Sequence, residues 1–510
     1  MKPRASFLAL CLAAAGFLFQ PASAEEITVA VGSGFTTLDP YDATDMLSRA
    51  AAKSFYEGLF TFDENMKPVP QLAQSCETSP DGLVYTIKLR PNVKFHDGTT
   101  LDAEAVKLNI DRLLDPANHL SRRTYFTPIE KVEVADPLTV RITLKHPLGT
   151  FLSRLANGTV QMVCPSLLKS GKDVAFNACG TGPYVLKDYN PSERLYVVKN
   201  PNYRVAGLPK LDGILWRPVV ENSTRAAMVR TGEAQFAHPM PAEQIKVLQN
   251  DPKIDILVQP SVIVRYLFIN NLQKPFTDVR VRQAINYAIN KEALAKVAFS
   301  GYARPVTGVV PEVFEFATKP GPWPYDPKKA RELLKEAGYP QGFETVLWSG
   351  YNNTTGQKVI QFIQQQLRQV GIRTTLRSLE AGQRVALVES VQDPMKAGMR
   401  LYYIGWSNST GEIDLAMRPL FHSESWAPAL ANEGFYKNEK VDRLLDEAIA
   451  EPDKAKRAKL YEEVQSTIWN DAPWAFLVTE DVTGASAKTL KNFRLRPDSS
   501  YDFYEAELVK

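Results

Sequence analysis

Pro324-Tyr-Asp-Pro-Lys-Lys-Ala-Arg-Glu-Leu-Leu-Lys-Glu-Ala-Gly-Tyr-Pro-Gln-Gly-Phe343 reads as one short helix with both ends marked. Asp326 is placed to cap the first turn, and Pro327 follows at a position where a missing N–H costs nothing. Ala330, Leu333, Leu334 and Ala337 share one face. Gly338 supplies the left-handed stop.

Working outward, the pattern repeats. Residues 345–348 read as a strand. A second helix carries Val359, Phe362, Ile363, Leu367 and Val370, stopped by Gly371, and residues 372–376 form the next strand. Upstream, Asp278 can cap a helix whose Val281, Ala284, Ile285, Ala288 and Ile289 share a face. Short apolar strands alternating with helices from about residue 222 predict an α/β lobe. The earlier part differs. Glu26-Ile-Thr-Val-Ala-Val31 reads as a strand entering a Gly/Thr-rich turn, and a helical segment ends near residue 55. Residues 84–95 and 132–144 alternate as hairpins, with Asp136-Pro137 at the second turn. Tyr85, Ile87 and Leu89 are expected to face inward. The chain's 510 residues exceed one core. No repeat, charge block or Gly/Ser/Pro-rich linker divides it, so the lobes are expected to interleave.

Composition is that of a globular protein, at 44% hydrophobic and 23% charged. Lys2 and Arg4 precede an apolar run over residues 7–19 and then Pro21-Ala-Ser-Ala24, which predicts a cleavable signal peptide with the cut after Ala24. Cys11 follows Leu8-Ala-Leu10, lies within that run, and reads as part of it. Removing residues 1–24 takes two cations and no acid, so the net charge falls from +3 to +1. A near-neutral chain gives no support for nucleic-acid binding. No later stretch is long and apolar enough to span a bilayer. Export implies an oxidising compartment, so a Cys164–Cys179 disulfide is expected, with Cys76 left as a small buried residue.

Catalytic signatures are sparse. The five histidines are scattered, with no H-E-x-x-H, no cysteine pairs at zinc spacing, no G-x-S-x-G and no phosphate loop. No metal or cofactor is expected. A triad assembled from distant residues stays open, so a hydrolase on a two-lobed scaffold is a second class and a peptide-binding chaperone a third. Four local features remain. Gly180-Thr-Gly-Pro-Tyr184 allows close backbone approach, or simply a tight turn before a strand. Gly405-Trp406, with Glu412 and Asp414 beyond it, follows a strand at residues 400–404, where ligands bind in open α/β sheets. The Trp face and an acid there suit a small ligand's ammonium end; otherwise they are a core Trp and two solvated acids. Ser349-Gly-Tyr-Asn-Asn-Thr-Thr355 offers hydroxyls, amides and a helix N-terminus to a carboxylate, or is only a capped loop. Arg265, inside the apolar Val262-Ile-Val-Arg-Tyr-Leu-Phe-Ile269, needs either a structural ion-pair partner or a ligand carboxylate.

The helix at 324–343 stands beside three further stretches. These are Tyr56-Glu-Gly-Leu59, Gly180-Thr-Gly-Pro-Tyr184 and Lys274-Pro-Phe-Thr-Asp-Val-Arg-Val-Arg-Gln-Ala-Ile-Asn-Tyr-Ala-Ile-Asn290. Together they resemble the family 5 extracellular solute-binding proteins of peptide and nickel ABC importers. Further stretches are most similar to the glutathione receptors of that family. They are Val29-Ala-Val-Gly-Ser-Gly-Phe-Thr-Thr-Leu-Asp-Pro-Tyr-Asp-Ala43, Leu215-Trp-Arg-Pro-Val219, Asn222-Ser-Thr-Arg-Ala-Ala-Met228, Thr231-Gly-Glu-Ala-Gln-Phe236, Phe299-Ser-Gly-Tyr-Ala303 and Gly405-Trp-Ser-Asn-Ser-Thr-Gly-Glu412.

The resemblance implies an α/β, two-lobed, type II periplasmic-binding-protein fold of the large cluster C form, with an extra subdomain in lobe 1 and a hinge between lobes. Lobe 1 is expected over residues 25–261, lobe 2 over 262–485, and a return to lobe 1 over 486–510. It implies a monomeric periplasmic receptor, not an enzyme, that hands glutathione to the membrane permease subunits of an importer. Di- or oligopeptides, or another γ-glutamyl or peptide-like solute, are the alternative cargo. The acid that holds a ligand amine in relatives matches either Glu412 or Asp414. The loop at 349–355 lacks the carboxylate-binding arginine of dipeptide-binding relatives, which leaves that role to Arg265 or Arg384. Trp406, Ser33, Tyr56, Gly182, Tyr351 and Asn352 complete the expected ligand contacts.

Overall fold

The computed structural model describes residues 25–43, 45–63, 67–157, 160–408 and 411–509. The expected signal peptide and cleavage site lie outside the described residues, as do Ser409 and Thr410 of the Gly-Trp loop.

Two long antiparallel strands, Ile254–Ile269 and Trp474–Ala487, cross the middle of the largest sheet and join its two sides. The first is far longer than the apolar stretch at 262–269 predicts. Its composition explains why it changes character midway. Pro260 has no N–H to give to a ladder, and pairing shifts register between Pro260 and Val264. Ser261 takes over there: its hydroxyl donates to the Glu480 carbonyl at 2.7 Å and accepts the Ile263 N–H at 3.0 Å. The two halves of the strand therefore lie on either side of an irregularity within one eleven-stranded sheet.

On one side of the break lie Glu26–Val31, parallel to both Gly213–Pro218 and Phe236–His238, with Arg194–Lys199 and Tyr184–Asn190 at the edge. A separate four-stranded antiparallel sheet belongs to this lobe, in the order Ala73–Thr78, Val84–Leu89, Thr139–Leu144, Ile129–Asp136. Helix Ala103–Leu114 covers it, and Tyr85, Ile87 and Leu89 point inward as their alternation requires. The expected hairpin over 84–95 is not formed. The strand stops at Leu89, because Pro91 and Asn92 (φ +61°) follow, and it pairs instead with Ala73–Thr78 and Thr139–Leu144.

On the other side, Leu401–Ser407 pairs with the crossing strand, followed by the parallel strands Phe343–Ser349 and Ile372–Ser378. The helix Pro327–Glu336 forms as its ends dictate. Asp326 accepts the Lys329 N–H at 2.9 Å, Gly338 adopts φ +91°, and Ala330, Leu333 and Leu334 are buried. Helix Thr354–Gln369 is capped by Asn353 and ended by Gly371 at φ +93°. Gly342 passes so close to that turn that a Cβ would sit 2.0 Å from the Gly371 carbonyl oxygen.

Cys164 and Cys179 form the expected disulfide, with Cα atoms 5.3 Å apart. Cys76 is free and half-buried, and burial pushes its thiol up to about 11. The bridge closes a loop with a sequence separation of 15, for which the chain-entropy argument gives about 3 kcal/mol. The double variant Cys164→Ala, Cys179→Ala should therefore melt several degrees lower by calorimetry. An unchanged melting temperature would mean that the Cys164 N–H to Cys179 carbonyl bond (2.8 Å) and the surrounding packing hold the loop alone.

Candidate functional site

The strand Leu401–Ser407 has a core packed on each face, Tyr402 in one and Leu401 and Tyr403 in the other. Gly405 lies opposite Arg265 on the crossing strand, and a Cβ on Gly405 would come within 2.3 Å of the guanidinium. Glycine is required there because the arginine lies across it. Arg265 bonds Glu480 on the second crossing strand at 2.6 Å, donates to the Tyr351 hydroxyl, and sits 4.8 Å from the centroid of that ring. Burial is the largest influence and opposes its charge, but Glu480, Tyr351 and Tyr403 together outweigh it and hold the guanidinium firmly protonated. Tyr351 is fixed by Ser349, whose hydroxyl donates to its carbonyl at 2.7 Å and accepts its N–H at 3.0 Å. Asn352 donates to Glu380 at 2.9 Å. A cavity of about 420 Å³ borders this face, and its lining includes Gly32, Ser33, His238, Glu480 and Tyr501. His238 there is pushed down to about 3 by burial and by Arg225, so it is neutral, and it pairs with the Tyr501 hydroxyl.

The opposite face carries Tyr402, Ile404 and Trp406 in a row, one pleat apart. The Tyr402 hydroxyl and Trp406 Nε1 are buried and have no hydrogen-bond partner among the described residues. Gly350 leaves room for that hydroxyl, since a Cβ would sit 2.5 Å from it. Arg384, on helix Ala381–Arg384, pairs with Glu389 at 2.7 Å. Glu433, in the loop before Tyr436, is 8% exposed and has no ion pair or hydrogen bond among the described residues. Burial, then the charge of Glu389, push it up to about 8, with Arg384 pulling the other way.

The two acids beyond the Gly-Trp turn are both already engaged. Glu412 is 1% exposed. It accepts from Arg154 Nε at 2.9 Å and Nη2 at 3.1 Å, and from the Thr150 hydroxyl. Because Thr150 and Arg154 belong to helix Phe151–Ala156 and its N-cap, this pair ties the region after the Gly-Trp turn to the first half of the chain. Asp414 is gripped by Arg418 at 2.9 and 3.1 Å. Each carboxylate has its cation, so neither presents an open face to a ligand amine.

Tyr56 and Gly182 also depart from expectation. Both are buried in the lobe 1 core rather than facing the cleft. A Cβ on Gly182 would meet the Phe55 backbone at 2.6 Å, and the Gly182 N–H bonds the Phe55 carbonyl at 3.1 Å. Glu57 beside them is buried and held by Arg204 at 2.8 Å and by Thr181 at 3.1 Å. The Tyr-Glu-Gly-Leu and Gly-Thr-Gly-Pro-Tyr stretches thus lock to each other and hold the fold.

Arg265 and Tyr351 are brought together on one face; Trp406 lies on the other with Tyr402, in whose field Arg384 stands. Ser33 is exposed at the cavity edge. Glu480 and Glu433 escaped the sequence reading. Glu480 had a signal, an acid within the apolar Trp474-Ala-Phe-Leu-Val-Thr-Glu480, the mirror of Arg265. Glu433 had none, since its loop is held by packing of Phe435 against Ala397 and Ala427.

Comparison with known proteins agrees with this architecture. Residues 67–428 match the bacterial extracellular solute-binding proteins, family 5, middle region. The chain is 50% identical over 506 residues to a glutathione-binding protein GsiB of Escherichia coli strain K12, covering 99% of each chain. It is 51% identical over 489 residues to the GsiB of Pectobacterium atrosepticum, covering 96% of this chain and 95% of that one. Among solved structures, the Helicobacter pylori periplasmic binding protein DppA in complex with peptide STSA superposes with a TM-score of 0.75 at 28% identity, covering 95% of this chain and 98% of that one. A chain with these crossing strands, this Gly-Trp turn and this end-to-end identity belongs to the bacterial extracellular solute-binding proteins of family 5.

Proposed function

We propose that this chain is a periplasmic receptor that closes two lobes on glutathione and presents it to the permease subunits of an ABC importer. The observation that carries the reading is identity of about one half, end to end, to curated glutathione-binding proteins. The mature chain begins after Ala24 and acts as a monomer. Lobe 1 spans 25–261 and 486–510, and lobe 2 spans 262–485. Closure pivots where the crossing strands change register, beside Pro260 and Ser261. The chain binds without turnover. A peptide is the second reading, favoured by the peptide held in the DppA structure.

The physical case rests on charge. At neutral pH glutathione carries one ammonium and two carboxylates. Its carboxylates suit Arg265 and Arg384, with Tyr351 and Asn352 beside the first, and Trp406 and Tyr402 offer donors that otherwise go unused. Expelling water on closure strengthens each of these contacts. Glu412 and Arg154 act on closure itself, as an ion pair between the lobes.

Three outcomes follow. Ligand-stripped protein should be stabilised by about 2.7 kcal/mol when reduced glutathione is present at about 100 times its Kd, with a smaller melting shift for Ala-Ala; a shift with the dipeptide alone would move the cargo to the second reading. Chromatography of the incubated glutathione should return it unchanged, and product accumulating with time would make the protein a hydrolase. Arg154→Leu takes the cation from Glu412 and leaves it Thr150, a loss of about 3–5 kcal/mol for a buried pair. It should weaken glutathione binding by calorimetry and leave a more open particle in small-angle scattering, whereas unchanged affinity would remove the pair from closure.

A further inference from the structure

The acids around the crossing strands and the Gly-Trp turn differ in their partners. Glu412 has Arg154, Asp414 has Arg418, and Glu480 has Arg265. Glu433 is the exception among the described residues. It is nine-tenths buried, accepts no hydrogen bond, and shares its surroundings with Glu389, whose own partner is Arg384. A buried acid without a partner is costly to ionise, and native structures retain one chiefly where something else completes it.

Its placement brings independent groups together. Gly434, the next residue, packs on Phe268, where a Cβ would lie 3.1 Å from the ring, and Phe268 is the cross-strand neighbour of Tyr402. Tyr402 is fully buried with an unpartnered hydroxyl, and Glu433, Arg384 and Glu389 are the charged groups acting on it. Leu379 and Val388, on either side of Arg384, pack in one cluster with Tyr402, so an unpaired acid, an arginine and an unused hydroxyl approach from a loop, a helix and a strand.

We propose that Glu433 and Arg384, with the Tyr402 hydroxyl, form a subsite for an α-amino-acid head group, Glu433 taking the ammonium and Arg384 the adjacent carboxylate. This deepens the glutathione reading and rests on it: the γ-glutamyl end is the only part of glutathione with both groups on one carbon. The groups facing Glu433 are Glu389 and Arg384 from the 381–389 segment, Tyr402 from its strand and Tyr266 from the crossing strand. With its carboxyl pushed up to about 8, Glu433 is mostly protonated at pH 7 without ligand. An arriving ammonium stabilises the carboxylate, and the displaced proton passes to the buffer.

The test is titration calorimetry at pH 7 in buffers of different ionisation heat, using wild type and Glu433→Gln with glutathione and N-acetylglutathione. Wild type should release close to one proton per glutathione bound. The variant should release none and bind at least tenfold more weakly, and wild type should discriminate against the N-acetyl compound by a similar factor. Unchanged affinity of the variant, or equal binding of both ligands by wild type, overturns the assignment while leaving the receptor reading intact. Absence of any glutathione binding by wild type overturns the receptor reading itself. The wild-type arms need no variant to fold, and the melting temperature of Glu433→Gln reports whether it does.

Discussion

The structure depends on one pair of antiparallel strands that must be continuous and yet change direction. Ile254–Ile269 and Trp474–Ala487 join both lobes into a single sheet. Proline breaks the ladder partway along the pair, and Ser261 supplies hydrogen bonds that keep the break from leaving polar groups unpaired. A sheet interrupted at one level can bend there at low cost while each side stays rigid, which is the mechanical requirement of hinge closure.

The same two strands set the electrostatics. Arg265 and Glu480 lie on neighbouring strands just beyond the break, so their pairing is fixed by the sheet rather than by loop conformation. Gly405 on the third strand makes room for the guanidinium. The glycine of the Gly-Trp turn is thus explained by what crosses it, and the Trp by the pleat, which sends it to the opposite face beside Ile404 and Tyr402. Acids that grip the scaffold are saturated with arginine, whereas donors and one acid on the Tyr402 face are not. That contrast separates residues that hold the protein together from those with capacity left for a solute.

Local chemistry was legible wherever it needed only local partners. Asp326, Pro327 and Gly338 bounded their helix from sequence alone, as Gly371 ended the next, because caps and left-handed stops are satisfied within a few residues. The hairpin at 84–95 misled because alternation shows which face is buried but not which strand is the neighbour. Residues 84–89 found partners on both sides, one of them more than fifty residues away. For the site, Arg265 and Trp406 were visible as a charge in an apolar strand and a Trp after a glycine. Tyr56 and Gly182 were visible too, but the same glycine that permits approach to a ligand permits approach to the Phe55 backbone.

By itself, the sequence determined the alternation of strands and helices, their caps, the exported character of the N-terminus as an expectation, and the kinship to solute-binding proteins. These follow from periodicity and from motifs a few residues long. Only the tertiary structure decided that Glu412 is bound to Arg154, that Asp414 belongs to Arg418, and that Glu433 has no ion pair among the described residues. An acid's role depends on which cation lies within about 4 Å, and for Glu412 and Arg154 that neighbour is 258 residues away along the chain.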